Sequence, residues 1–364
     1  MKVLSSLIHL RAIIIHFLFF ASVLSVGIII FFHVSTSNHQ SVISDEASTE
    51  NMPVNEYSDK FPPQHKDVDE NDQVLLWRRR ASVNINVVNS GEAKVAFMFL
   101  TRGSLPLAPL WEKFFKGNKG KYSIYVHTKP LFNLTFPQSS VFYGTSIPSK
   151  VVEWGKFNMV EAERRLLGNA LMDPLNQYFV LLSESCIPLF NFSTVHSYVL
   201  GSRTTFVEAY DLLGPTGQGR YSYRMRPLIK LDQWRKGSQW FAMDRHLAIE
   251  VISDDIYFQK FMRKCKIGSC YADEHYLPTF VNIRFADSNS NRSLTWVDWS
   301  RGGHHPASFY RTRVTIELLK KLRNGSTCEY NGKTTNVCFL FARKFLPNSL
   351  DRLLRFAPKI MHFD

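Results

Sequence analysis

Two short stretches of this chain carry side chains able to do chemistry. Ala272-Asp273-Glu274-His275-Tyr276 sets two adjacent carboxylates at what reads as the opening of a helix, Glu274–Phe280. A carboxylate there either takes a proton from a hydroxyl or does no more than pair with the helix dipole. Phe341-Ala342-Arg343-Lys344-Phe345 places two cations between aromatic residues, so that one of them can turn inward toward an anion while the aromatics fix the backbone. An ordinary basic turn is the plainer account. After the apolar run Tyr178–Leu182 come Ser183-Glu184-Ser185-Cys186. A metal-dependent sugar transferase would want a carboxylate pair at such a place, to hold Mg²⁺ or Mn²⁺ against a diphosphate. The chain's Asp-x-Asp triplet, Asp67-Val68-Asp69, instead lies far upstream in a polar segment. No Gly-rich phosphate loop and no Gly-x-Ser-x-Gly elbow is present, which leaves a nucleoside triphosphatase or a common serine hydrolase without support. If the substrate is a nucleotide sugar, Arg and Lys must meet its leaving diphosphate.

These groups need a scaffold, and the pattern supplies one. Lys94–Leu100 and Tyr122–His127 are short runs of β formers. Leu107–Phe115 and Val160–Leu171 have helical spacing of apolar residues, and the second feeds the strand Tyr178–Leu182. Arg245–Ser253 and Arg313–Leu322 are further expected helices. Such alternation implies an α/β fold with a largely parallel sheet and ligand-binding loops at the carboxyl ends of the strands.

The chain ahead of this body is different. Residues 12–32 carry no formal charge and are long enough, at roughly 32 Å as a helix, to cross a bilayer. Lys2 and Arg11 precede them, whereas residues 33–72 hold nine carboxylates against two lysines, so residues 1–11 should be a cytoplasmic tail and the rest lumenal. The competing account, a cleaved signal peptide, wants a shorter apolar core and a small-residue cleavage site. Residues 33–75 read as a disordered stem, too poor in apolar residues to form a core, and residues 76–364 as the lumenal domain. With the stem acidic, the body is more basic than the whole chain's +13, which suits an anionic ligand, an anionic polysaccharide or a membrane surface. Nucleic acid is not an expected partner of a lumenal domain.

All five cysteines follow the apolar segment. Cys265 with Cys270, and Cys328 with Cys338 around an Asn-Gly turn, are placed to form local disulfides, leaving Cys186 free. The usual Cys/His spacings of a zinc site are absent. Asn133, Asn191, Asn291 and Asn324 head glycosylation sequons.

In order and spacing, KVAFMFLTRG with YSIYVH, VEWGKFNMVEAERRLL with YFVLLSESCIPL, WRKGSQWFAMDR, YADEHYLPT, LTWVDWSRGGHHP and CFLFARKF resemble the core-2/I-branching β-1,6-N-acetylglucosaminyltransferases, in the plant, brittle-culm-like branch. The resemblance runs from about Lys94 to Phe356. It implies a GT-A-like fold behind a signal-anchor, in a single-pass type II Golgi membrane protein. It also implies an inverting transfer of a sugar from a UDP-sugar to a glycan or glycoprotein hydroxyl, with no metal cofactor. By that resemblance Glu274 is the general base and Lys344, beside Arg343, binds the diphosphate; Lys333 is the nearest candidate for a second phosphate-binding cation, displaced in its spacing. Leu100, Thr101 and Arg102 with Val126 and His127 would hold the nucleoside, and Glu208 and Arg220 the acceptor. Trp240 and Trp296 either stack on sugar faces or pack in the core. His127 and Cys186 stand where animal members have Asp. N-acetylglucosamine is the family's donor sugar, while related branches use xylose or glucuronic acid. A non-catalytic glycan-binding or scaffold protein that keeps the fold is the alternative from another class.

Overall fold

The centre of the computed structural model, which describes residues 77, 92–265, 270–303 and 305–363, is the strand β1 (Lys94–Leu100). It is flanked in parallel by β2 (Tyr122–His127) and β3 (Asn176–Ser183), and β5 (Ala242–Asp244) adds an antiparallel edge to give the order β2-β1-β3-β5. β1 is apolar throughout its interior because both of its faces are covered. Side chains alternate across a strand, so Val95, Phe97 and Phe99 enter one hydrophobic cluster and Ala96, Met98 and Leu100 the other.

Helix α1 (Ala108–Phe115) covers the first face. Its Trp111 meets Phe99 edge-on with ring centroids 5.2 Å apart, and Phe115 meets Phe97 at 4.9 Å. Helix α2 (Asn158–Leu171) covers the second face, with α4 (Arg245–Ser253) beside it. Helix α3 (Phe192–Leu200) is capped by the Asn191 side chain, which accepts from Thr194 N at 3.0 Å. α5 (Ile256–Lys264) and α6 (Tyr276–Arg284) follow α4, and α7 (Ile316–Asn324) and α8 (Leu350–Phe356) pack toward the first face.

A second sheet, order β4-β9-β6, joins Ile187–Pro188, Phe341–Arg343 and Thr295–Val297, with β9 antiparallel to β4 and parallel to β6. It brings the FARKF segment alongside the end of β3. Strands β7 (Cys328–Tyr330) and β8 (Lys333–Thr335) form a hairpin. The disulfides Cys265–Cys270 and Cys328–Cys338 are both present, and Cys186 is a buried free thiol.

The expected α/β fold with its parallel core is therefore observed, and it fits a GT-A-like arrangement. Helix boundaries shift by one to a few residues: α1 begins at Ala108, α2 at Asn158, and α7 spans Ile316–Asn324 where Arg313–Leu322 was expected; one shift bears on the site. Glu274 closes a 3₁₀ turn, Ala272–Glu274, and the α-helix begins only at Tyr276, so the carboxylate is not a helix-start cap. Among the described residues no helix is long and apolar enough to cross a membrane; the expected tail, anchor and stem, residues 1–75, lie outside the described residues.

Candidate active site

Three segments distant in sequence are laced together on one side of the sheet. Tyr210 and Lys236 exchange backbone hydrogen bonds at 2.9 and 3.0 Å, and Gly237 N donates to Glu274 O at 2.9 Å. Arg235 N donates to Thr279 Oγ1 at 3.1 Å, and the buried His275 bonds through Nδ1 to Arg235 O at 2.8 Å. Burial lowers the His275 pKa to about 4. The neutral ring therefore carries its proton on Nδ1 and donates to that carbonyl. Gly237 is required for this closeness: a Cβ there would lie 1.9 Å from Glu208 O.

The lacing delivers Lys236 to Glu274. Glu274 Oε2 accepts from Lys236 Nζ and, at 2.6 Å, from Arg220 Nη1 of the 3₁₀ turn Gln218–Arg220. Arg220 also lies over the Tyr271 ring, 4.1 Å from its centroid. Burial acts to raise the Glu274 pKa, but the Lys236 charge and the hydrogen bonds from both cations outweigh it and hold the carboxyl below its ordinary value. Glu274 is thus ionised across the neutral range. Both bonds fall on Oε2, and neither engages Oε1.

Its neighbour Asp273 behaves oppositely. Burial, then the Glu274 charge, lifts the Asp273 pKa to about 6, and its Oδ1 has no hydrogen-bond partner. Glu163 of α2 is buried as well and pushed well above the carboxylate range by burial and by Asp273, although Gln239 Nε2 donates to it at 2.9 Å.

Glu274 opens onto a cavity of about 770 Å³. Leu100, Thr101 and Arg102 at the end of β1, His127 at the end of β2 and Glu184 after β3 line it, as expected of the carboxyl edge of a parallel sheet. Val126 does not line it; it is fully buried in the core. His127 is also buried, and burial followed by the nearby Arg165 charge lowers its pKa to about 4, so the ring is neutral. Its Nε2 accepts from Lys150 N at 3.2 Å.

On another wall lie Arg343, the last residue of β9, and Lys344, which follows it. Burial lowers both pKa values, and Arg343 and Arg102 lower that of Lys344 further, so three cations crowd one region with Glu184 as the opposing charge. Arg343 is stacked on Trp240, 4.0 Å from the ring centroid. Trp240 thus lines the cavity with one face covered by Arg343. Trp296 lines the cavity and packs against Phe309 at 5.9 Å. Lys333 is exposed on β8 and does not line the cavity, whereas Arg102, Arg343 and Lys344 do. Glu208 lines the cavity, its pKa raised by burial against stabilising bonds from the Ser238 and Ser293 backbones. Among the described residues no cluster of three His, Cys, Asp or Glu side chains is placed to hold a metal ion.

A family model described as Core-2/I-Branching enzyme matches residues 95–323. The chain is also 36% identical over 311 residues to Glycosyltransferase BC10 of Oryza sativa subsp. japonica, covering 73% of this chain and 77% of that one. The chain belongs to the core-2/I-branching enzyme family. That membership makes it a glycosyltransferase, the enzyme class expected from its motifs.

Within this core-2/I-branching enzyme the cavity gathers Glu274, Arg220, Glu208, Trp240 and Trp296 with Leu100, Thr101, Arg102, His127, Arg343 and Lys344. Sequence reasoning missed Lys236, whose only signal was a cation beside glycine in WRKGSQW, and the half-exposed Trp154 and Trp299 of the cavity mouth. Of the sequon asparagines, Asn133, Asn291 and Asn324 are exposed, whereas Asn191 is half-buried at its capping position.

Proposed function

We propose that this enzyme moves a sugar from a UDP-sugar to a hydroxyl of a glycan or glycoprotein, with inversion at the anomeric carbon and without a metal ion. The observation that carries this reading is a single cavity holding an ionised carboxylate at one wall and three converging cations at another. In the reaction the acceptor oxygen attacks the anomeric carbon, its proton passes to Glu274, and the bond to the UDP oxygen breaks. Lys344, Arg343 and Arg102 meet the charge that grows on the departing diphosphate, the work a divalent cation performs in metal-dependent transferases. Arg220 and Lys236 orient the base, Glu208 and Arg220 hold acceptor hydroxyls, and Trp296 and Trp299 offer faces to sugar C–H patches. Thr101 and His127 border the nucleoside.

The natural donor in this reading is UDP-N-acetylglucosamine, with UDP-xylose and UDP-glucuronic acid as the competing donors, and the product contributes to cell-wall polysaccharide or proteoglycan. The enzyme works in the Golgi lumen as a single-pass type II protein held by residues 12–32. The experiment is a donor-hydrolysis screen of the purified protein across UDP-sugars with and without EDTA. Hydrolysis of one UDP-sugar that persists in excess EDTA is expected. No hydrolysis of any UDP-sugar, with no UDP binding, would favour the scaffold reading; an EDTA loss restored by Mn²⁺ would point to a metal site, with Glu184 its first suspect.

A further inference from the structure

At the cavity mouth Trp154 leaves half of its surface, 50%, in solvent, although it is held in place on two sides. Its ring meets Tyr271 at 5.2 Å and His305 at 5.3 Å. The following Gly155 has φ +75°, and a Cβ there would lie 3.1 Å from the Tyr271 ring, so the loop is pressed onto that tyrosine. Tyr271 in turn carries Arg220 on its face, and Arg220 is bonded to Glu274. A half-bare indole, packed on two sides, is therefore joined to Glu274 through two residues, Tyr271 and Arg220. An exposed indole held rigid at the mouth of a sugar-transfer cavity suits a ligand with apolar C–H faces and polar edges, because stacking then gains contact area at little entropic cost.

We propose that Trp154, supported by Tyr271 and His305, forms a binding subsite for a second, non-reacting sugar of the acceptor, and that the enzyme's acceptor is an oligosaccharide or polysaccharide chain, not a single sugar. The proposal rests on the transferase reading and deepens it. Binding energy gained at Trp154 is remote from the reacting hydroxyl and holds that hydroxyl against Glu274.

The test uses the purified protein and neutral β-linked xylo-, gluco- and galacto-oligosaccharides of one to six sugars, with affinity read from tryptophan fluorescence and checked by calorimetry. In at least one series, affinity should rise about tenfold between one and three sugars. Trp154→Ala should abolish that gain, while Trp154→Phe should restore part of it. Equal affinity for all lengths in every series, or an unchanged length dependence in Trp154→Ala, would overturn the proposal. So would a Trp154→Ala protein that loses UDP affinity instead, since the indole would then hold the nucleobase. UDP binding by the wild-type protein separates the two readings. Trp154-dependent glycan binding with no UDP binding would sink the transferase reading alone, and UDP binding with no length gain would sink this one alone.

Discussion

In the proposed reaction Glu274 is the base, and its setting fixes what its variants should do. Two cations on Oε2 keep it ionised without consuming Oε1. The acid-side loss of activity should therefore come only as pH falls through the depressed pKa of Glu274, the direction set by Lys236 and Arg220. Glu274→Gln preserves size but cannot accept a proton, so turnover should fall by about 10²–10⁴ with UDP affinity nearly unchanged. Lys344→Ala should act differently, because that lysine meets charge already present in the bound donor and growing as UDP leaves. Both affinity and turnover should drop, with a loss of about 2–4 kcal/mol in transition-state stabilisation. Steady-state kinetics alongside UDP titration distinguishes the two patterns; wild-type turnover in Glu274→Gln would return that residue to an electrostatic role beside Arg220.

At the scale of elements, the strands and helices were legible where local pattern decides them. β1 alternates its apolar side chains between two clusters, and Arg245–Ser253 was read with the bounds the structure has. The local disulfides were legible for the same reason. What was not legible depends on contacts between distant segments. Lys236 reaches Glu274 only because the 234–240 segment is laced to both Tyr210 and the 272–279 turn, and nothing in WRKGSQW announces that. Nor does the sequence around Trp240 show Arg343 arriving from β9 to cover one of its faces. Val126 and His127 are adjacent, yet strand alternation sends one to the core and the other to the cavity wall. The lacing itself predicts a phenotype. Gly237→Ala would place a methyl group within 1.9 Å of Glu208 O and 2.8 Å of Pro278 Cγ, so backbone must move. A loss of about 2–4 kcal/mol in unfolding free energy is expected by chemical denaturation; wild-type stability in that variant would mean the segments are not in contact.

For the whole molecule, the buried acids beside the base link stability to pH. Asp273 has a folded pKa of about 6 against an ordinary value of 3.8, so between those values the folded state binds more protons than the unfolded one. Stability must then fall as pH rises from about 4 to about 6, and Glu163 pushes in the same direction. Asp273→Asn removes the charge that must otherwise be buried, and should reduce this fall by about 2 kcal/mol in urea titrations run from pH 4.5 to 7.5. Parallel pH profiles for the two proteins would show that Asp273 ionises freely. The central claim, however, concerns the joint action of Glu274 and the Arg102, Arg343 and Lys344 cations in place of a metal. It is tested most directly by the anomeric proton NMR signal of the product that the purified enzyme forms from an α-linked UDP-sugar and an acceptor oligosaccharide in excess EDTA. A β-linked product is predicted; an α-linked product, or one that forms only after Mn²⁺ is restored, would contradict it.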